Sequence, residues 1–269
     1  MRVKLVVAYD GTNYCGWQIQ PNGITIEEVL NESLSGFFGT KVKVSGASRT
    51  DAGVHSLGNI AWFDVETRMP AEKIAFAVNR SLPDDIRIRS SARVPDNWNP
   101  HLVNSVKTYE YRILSSRQIF PTERLYADCI PWDLDWEKMN RAGQALIGEH
   151  DFTSYASPHA QVTSFVREIT DLEVTGHPFV PEGRRIVLTV RGKGFLYQMV
   201  RIIAGTLIEI GRGHLPESAA KEILMARDRG KAGPTAPAHG LTMISWEEIP
   251  AGTSDLLSKI PDGEPQKKV

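Results

Sequence analysis

The chain has 269 residues, 41% hydrophobic and 23% charged, the values of a folded protein rather than a disordered or fibrous one. At about 150 residues per domain, that length fits one large or two modest domains, each able to bury a core without staples. A net charge of −1 gives no global attraction to nucleic acid, and two cysteines without CxxC spacing, Cys15 and Cys129, exclude a disulfide framework and a structural zinc site.

The N-terminal MRVKLVVAYDG reads as a strand over Val3–Tyr9 closed by the turn pair Asp10–Gly11, not as a signal peptide. A helix is predicted over Ile26–Phe38, where Thr25 and Glu28 form a capping box and Ile26, Val29, Leu30, Leu34, Phe37 and Phe38 make one apolar stripe. Alternation predicts strands over Lys41–Ala47 and Leu57–Val65, with a loop at 48–56. A helix from Pro70 to Leu82 and a strand over Ile86–Arg93 follow.

The Pro/Asn-rich PDNWNPH at Pro95–His101 is the best candidate boundary. Beyond it come a strand over Lys107–Leu114, a helix over Trp136–Ile147 and a strand pair over Val166–Thr175 and Arg185–Arg191. Helices are predicted over Leu196–Ile210 and Glu217–Arg227. The pattern is that of an α+β protein with two similar lobes, 1–100 and 101–249. Residues 250–269 are polar and low in apolar content, and read as a disordered tail. No stretch approaches the roughly 18 apolar residues of a membrane span, so the expected location is cytoplasmic. Between Arg184 and Lys231 ten Lys/Arg face only four Asp/Glu, which permits a basic RNA-binding face or a merely solvated one.

The densest chemistry lies in SRTDAGVH, Ser48–His55, where Arg49, Asp51 and His55 sit among small residues between two apolar strands. A turn here requires the backbone freedom of Gly53 but not the charged pair beside it. On spacing alone, a local ion pair contributing about 0–1 kcal/mol competes with a functional site. A metal held by Asp51 and His55 lacks a third ligand nearby. The glycines of GKAGPTAPAHG lack the GxxxxGK[ST] order of a phosphate loop.

Six segments recur in order: YDGTNYCGWQIQP (Tyr9–Pro21), SRTDAGVHSLGNIAWF (Ser48–Phe63), KTYEYRI (Lys107–Ile113), GEHDFTSY (Gly148–Tyr155), GFLYQMVR (Gly194–Arg201) and GPTAPAHGL (Gly233–Leu241). The set resembles the TruA family, the tRNA pseudouridine(38–40) synthases, from the first strand to about Trp246. The resemblance implies antiparallel sheets flanked by helices around a central cleft. It also implies a homodimer acting on tRNA, without metal or small-molecule cofactor, at uridines 38–40 of the anticodon stem-loop. Alternatives are the same chemistry on another tRNA uridine, or a catalytically silent RNA-binding module.

By that resemblance Asp51 is the essential catalytic carboxylate, able to add covalently or to stabilise a cationic sugar. Arg201 matches its ion-pair partner, against the reading of an arginine snorkelling from an amphipathic helix. Tyr109 matches a tyrosine that stacks on the target base, a wall that an everted base needs. Tyr111, on the same strand face, reads as core. Arg49 matches a residue that holds the everted nucleotide, its rival role being a pair with Asp51 itself. His55 is open between RNA contact and a structural role, and Tyr14 and Trp17 between stacking surface and core. Three departures from the family pattern bear on RNA contacts rather than on Asp51: Asn99–His101 in place of an Ala-Arg-Phe-like segment, Ile202 after the MVR arginine, and a short turn at Asn22–Gly23.

Overall fold

The computed structural model describes residues 1–249, so the tail expected at 250–269 lies outside the described residues. The chain order is β1 (Arg2–Tyr9), α1 (Ile26–Phe38), β2 (Ser45–Gly46), β3 (His55–Asp64), α2 (Ala71–Val78), β4 (Ile86–Val94), β5 (Ser105–Ser115) and β6 (Asp128–Ile130). Then come α3 (Trp136–Gln144), β7 (Gly148–Asp151), β8 (Val166–Pro178), β9 (Arg184–Gly192), α4 (Met199–Gly211), α5 (Ala219–Ala226) and β10 (Leu241–Glu248).

The α+β class stands, and among the described residues the strands of both halves join into one ten-stranded sheet, eight in the order β4-β1-β3-β10-β5-β9-β8-β7, with β2 paired to β3 and β6 to β5 off that path. Its centre is the C-terminal strand: β10 runs parallel to β3, with Thr242 opposite His55, and antiparallel to β5, with Met243 opposite Tyr109. Every other pairing is antiparallel except the short β5–β6 bridge. The residues after Asp51 and those around Tyr109 therefore flank one strand.

Strand alternation sends Val3, Leu5, Val7, Ala61 and Phe63 into a core with Ile26, Leu30 and Leu34 of α1 and Ile74 and Val78 of α2. The opposite face of the same strands, through Val6 and Ile60, joins a second core. That core is built on Tyr109, Tyr111, Leu188 and Val190 and on α3, α4 and α5. The two helical layers thus cover different faces of the sheet. Helix α1 starts as its sequence predicts: Thr25 accepts from the Glu28 amide at 3.4 Å, and Gly39 closes it in a left-handed conformation.

The strand expected over Lys41–Ala47 shrinks to Ser45–Gly46. Two amides ahead of it are taken by α1 side chains: Val42 N–H donates to Ser35 at 2.9 Å and Val44 N–H to Asn31 at 2.7 Å. A segment so tied down has fewer backbone donors for a ladder. Among the described residues no helix is long and apolar enough to cross a membrane.

Candidate active site

Residues 47–54 form a tight loop entering β3, pinned from several directions. Ala47 N–H donates to Ile60 O at 2.7 Å, and the Asn59 side-chain amide donates to Ser48 O at 3.0 Å. The hydroxyls of Tyr9 and Thr50 meet at 2.8 Å. Burial pushes the Tyr9 phenol up to about 12, so it stays a neutral hydrogen-bonding group. Gly53 has the positive φ (+78°) that its turn requires. The loop after β1 lies directly on this one: Trp17 N–H donates to Thr50 O at 3.1 Å, and a Cβ on Gly16 would come within 2.6 Å of that same carbonyl oxygen. Tyr14 and Trp17 are buried in this packing, which makes them core aromatics rather than stacking surfaces.

Asp51 faces a cavity of about 760 Å³, inside the range of about 300–1,000 Å³ typical of ligand pockets. Its Oδ2 accepts from Arg201 Nη1 at 2.7 Å, with the two side chains 17% and 14% exposed. Arg201 does not itself line the cavity; it stands behind the carboxylate. Its Nε donates to Ala236 O at 2.8 Å, while Ala236 N–H returns a bond to Arg201 O at 3.1 Å. The segment holding Ala236 packs against α4 through Gly233, whose N–H donates to Thr206 Oγ1 at 3.0 Å. The guanidinium fork is therefore fixed at two points, which favours one orientation towards Asp51.

Tyr109 is 7% exposed and lines the cavity, with its ring packed edge-on against Phe195 at 5.2 Å. Burial, then the nearby Tyr9 and Asp51, hold its phenol above the ordinary tyrosine value. Tyr109 is thus a neutral hydroxyl in an apolar wall. Ser48 Oγ lines the same cavity, is buried, and has no hydrogen-bond partner among the described residues. Such orphaned groups are uncommon in folded proteins. Tyr111 is fully buried in the core, its hydroxyl within hydrogen-bond reach of two acceptors, Pro237 O at 3.0 Å and Asp128 Oδ2 at 3.2 Å.

Arg49 lines the cavity and is exposed. Asp51 takes its ion pair from Arg201, and among the described residues Arg49 has no carboxylate partner. His55 lies elsewhere. It is 4% exposed, absent from the cavity wall, and spent on the protein itself. Its Nδ1 accepts from Gly11 N–H at 3.0 Å, and its Nε2 lies 2.9 Å from Leu125 O and 3.2 Å from His239 O. The same Nδ1 also lies 3.1 Å from Asp10 Oδ1. His55 therefore joins three loops behind the site.

Lys107 and His101 also line the cavity; sequence reasoning assigned Lys107 no role and singled out His101 only within the Asn99–His101 departure that bears on RNA contacts. Lys107 was within reach of the strand pattern, since it precedes Tyr109 by two residues and shares its face. His101 lies in a loop, where no periodicity points to it. The basic excess over 184–231 proves largely neutralised: Arg185, Arg191, Lys193, Arg201, Arg212 and Arg227 are each paired with a carboxylate. Among the described residues no group of three or more His, Cys, Asp or Glu could hold a metal ion.

The chain matches the family model described as tRNA pseudouridine synthase over residues 5–101 and 142–247, more than half its length. It is 43% identical over 243 residues to the tRNA pseudouridine synthase A of Ruminiclostridium cellulolyticum, covering 90% of this chain and 98% of that one. To the protein of the same name from Brevibacillus brevis it is 41% identical over 248 residues, covering 92% and 99%. To that from Geotalea uraniireducens it is 38% identical over 243 residues, covering 90% and 98%. With a loop carboxylate held by an arginine of helix α4, and with this identity along nearly the whole of its relatives, the chain belongs to the tRNA pseudouridine synthase family, isomerases acting on uridine in tRNA.

Proposed function

We propose that the chain converts uridine to pseudouridine at positions 38–40 of the tRNA anticodon stem-loop. It would act in the cytoplasm as a homodimer, without metal or organic cofactor, its lobes 1–100 and 101–249 contributing opposite walls of the cleft. The observation that carries the reading is the Asp51 carboxylate, paired with Arg201 at 2.7 Å beside a cavity whose wall includes Tyr109.

The reaction breaks the bond from N1 of uracil to C1′ of ribose, turns the base, and forms a bond from C5 to C1′. C5 loses one proton and N1 gains one, so atoms and electrons balance with no added reagent. Inside a stacked helix neither reacting atom is accessible, and everting the nucleotide costs a few kcal/mol. Tyr109, with Phe195 behind it and Leu196 and Leu241 nearby in the wall, offers apolar surface to replace the lost stacking. Asp51 supplies the anion, either bonding covalently to the substrate or facing the cationic sugar as the glycosidic bond breaks. Arg201, behind the wall, holds that carboxylate at 2.7 Å and keeps it aimed without entering the substrate's space. Arg49, at the exposed end, is suited to holding the everted nucleotide.

The test is Asp51→Asn. Purified variant and parent are given an unmodified tRNA transcript, and pseudouridine is quantified by mass spectrometry beside a binding measurement. Abolished isomerisation with tRNA still bound supports the reading. Retained isomerisation overturns the role of Asp51, and modification outside positions 38–40 by the parent overturns the assigned position.

A further inference from the structure

We propose that Arg49, Lys107 and His101 form a phosphate subsite in the cavity wall that takes a phosphodiester adjoining the everted nucleotide. The inference rests on the reading that RNA is the substrate, and it assigns roles to two residues, Lys107 and His101, that the catalytic argument does not use.

Three separate elements deliver these side chains to one cavity. Arg49 comes from the loop two residues before Asp51, Lys107 from β5 two residues before Tyr109, and His101 from the segment leading into β5. Strand alternation turns Lys107 to the same face as Tyr109. The His101 ring is braced edge-on by Trp62 at 5.7 Å, and Trp62 in turn packs edge-on against Trp98 at 6.3 Å.

Charge accounting gives the subsite its ligand. Among the described residues Asp51 is the only carboxylate lining the cavity, and Arg201 already pairs it from behind. Among the described residues neither Arg49 nor Lys107 has a carboxylate within ion-pair distance, whereas six basic residues between 184 and 231 do. Cations gathered without acids in a partly enclosed site raise the local positive potential and favour an anion there. The groups also feel one another. Burial first, then Lys107 and Arg49, hold the His101 imidazole below its ordinary value, with Gly46 weakly opposing. Burial, then Arg167 on β8, hold the Lys107 ammonium below its own. Like charges are being kept close at a cost that an arriving phosphate would remove. Of the anions RNA carries, only its phosphodiesters fit that role, and an arginine fork with an ammonium is a common way to hold one.

The test uses the intact chain with histidines labelled with nitrogen-15. The His101 titration is followed by NMR alone, with saturating tRNA transcript, and with inorganic phosphate. A phosphodiester beside the imidazole raises the His101 midpoint in the tRNA arm. A midpoint that stays or falls with tRNA, whatever inorganic phosphate does, overturns the subsite. In parallel, the slope of log Kd against log salt is measured for parent, His101→Gln, Lys107→Met and the double variant, with Arg141→Met as a control. Arg141 is an exposed arginine paired with Glu217 at 3.0 Å. Each lost phosphate contact reduces the slope by about one. The double variant therefore flattens it by one to two while Arg141→Met does not. A double variant with the parental slope overturns the subsite and leaves the isomerase reading intact, whereas a parent that binds no tRNA at low salt overturns the isomerase reading itself.

Discussion

Arg201 and Asp51 stand 150 residues apart in the chain and meet at 2.7 Å where the two halves of the sheet join. With Nη1 on the carboxylate and Nε on Ala236 O, the guanidinium binds two partners that a lysine ammonium could not reach in the same geometry. Arg201→Met leaves Asp51 with an uncompensated charge in a mostly buried place. We expect a loss of about 3 kcal/mol in unfolding free energy, the low end for a broken buried pair because both groups retain some solvent contact. Turnover should fall by at least about 100-fold, as when a preorganised charge partner is removed. Arg201→Lys should recover part of the stability and little of the turnover. Urea unfolding and single-turnover assays of the three proteins decide this; near-normal turnover in Arg201→Met would remove the pair from the mechanism.

Tyr109 separates wall from hydroxyl. Tyr109→Phe keeps the ring against Phe195, so stability should change by no more than about 1 kcal/mol. Tyr109→Ala empties an aromatic site and should cost about 3–5 kcal/mol. If the neutral hydroxyl takes part in moving the C5 proton, Tyr109→Phe slows turnover by about 10²-fold or more, the usual size of a lost acid–base group. Unchanged turnover in Tyr109→Phe would assign the residue to the wall alone.

What the sequence reveals here follows from which interactions are local. The stripe and capping box of α1 predict its observed bounds, Ile26–Phe38, because both signals lie within the helix they describe. Val42 and Val44 carry the same alternation as a strand, yet their amides go to Ser35 and Asn31, partners that no periodicity in 41–47 discloses. Leu241–Glu248 escapes prediction because LTMISWEE alternates poorly, although its place between β3 and β5 unites the sheet. The helix expected from Leu196 begins only at Met199, since Gln198 takes a left-handed conformation with φ at 60°. Asp51, Tyr109 and Arg201 are named by motif resemblance, but the contact between Asp51 and Arg201 is tertiary. The 184–231 segment shows the converse: its charge count is plain in sequence, while its neutralisation depends on Glu123, Glu168, Glu247, Asp51 and Asp151 brought from elsewhere.

His55 offers a test of structure against contact. Its ring satisfies Gly11 N–H and the carbonyl of Leu125 from a buried position. His55→Ala leaves those groups without their partner and should lower stability by about 1–3 kcal/mol. Because the ring does not line the cavity, the salt slope of tRNA binding should match the parent at a temperature where both remain folded. A flattened slope would return His55 to the RNA interface.

Asp128 should reveal itself through pH. Burial raises its carboxyl above the ordinary value, outweighing the Tyr111 hydroxyl at 3.2 Å and the more distant His239, which act in the other direction. An unfolded aspartate titrates near about 3.9, so just above that pH the folded protein holds the proton more often than the unfolded chain. Stability contributed by this group therefore declines as pH rises through that window, and the cost of the buried charge is fully present at neutrality. Asp10 behaves oppositely. Burial raises it, but the Thr12 and Tyr126 hydroxyls, the Thr12 amide and His55 together bring it below the ordinary value, so its contribution is lost on acidification. Asp128→Asn removes one charge while keeping an acceptor for Tyr111. The variant should be more stable than the parent by the order of 1 kcal/mol near pH 7, with the difference vanishing below about pH 4. Cys129 supplies an independent readout: its thiol is pushed up by burial first and then by Asp128 and Glu123, so its titration midpoint should fall in Asp128→Asn. Chemical unfolding at a series of pH values, with thiol titration alongside, tests both; a variant less stable than the parent at pH 7 would mean that the carboxylate is better accommodated than its burial implies.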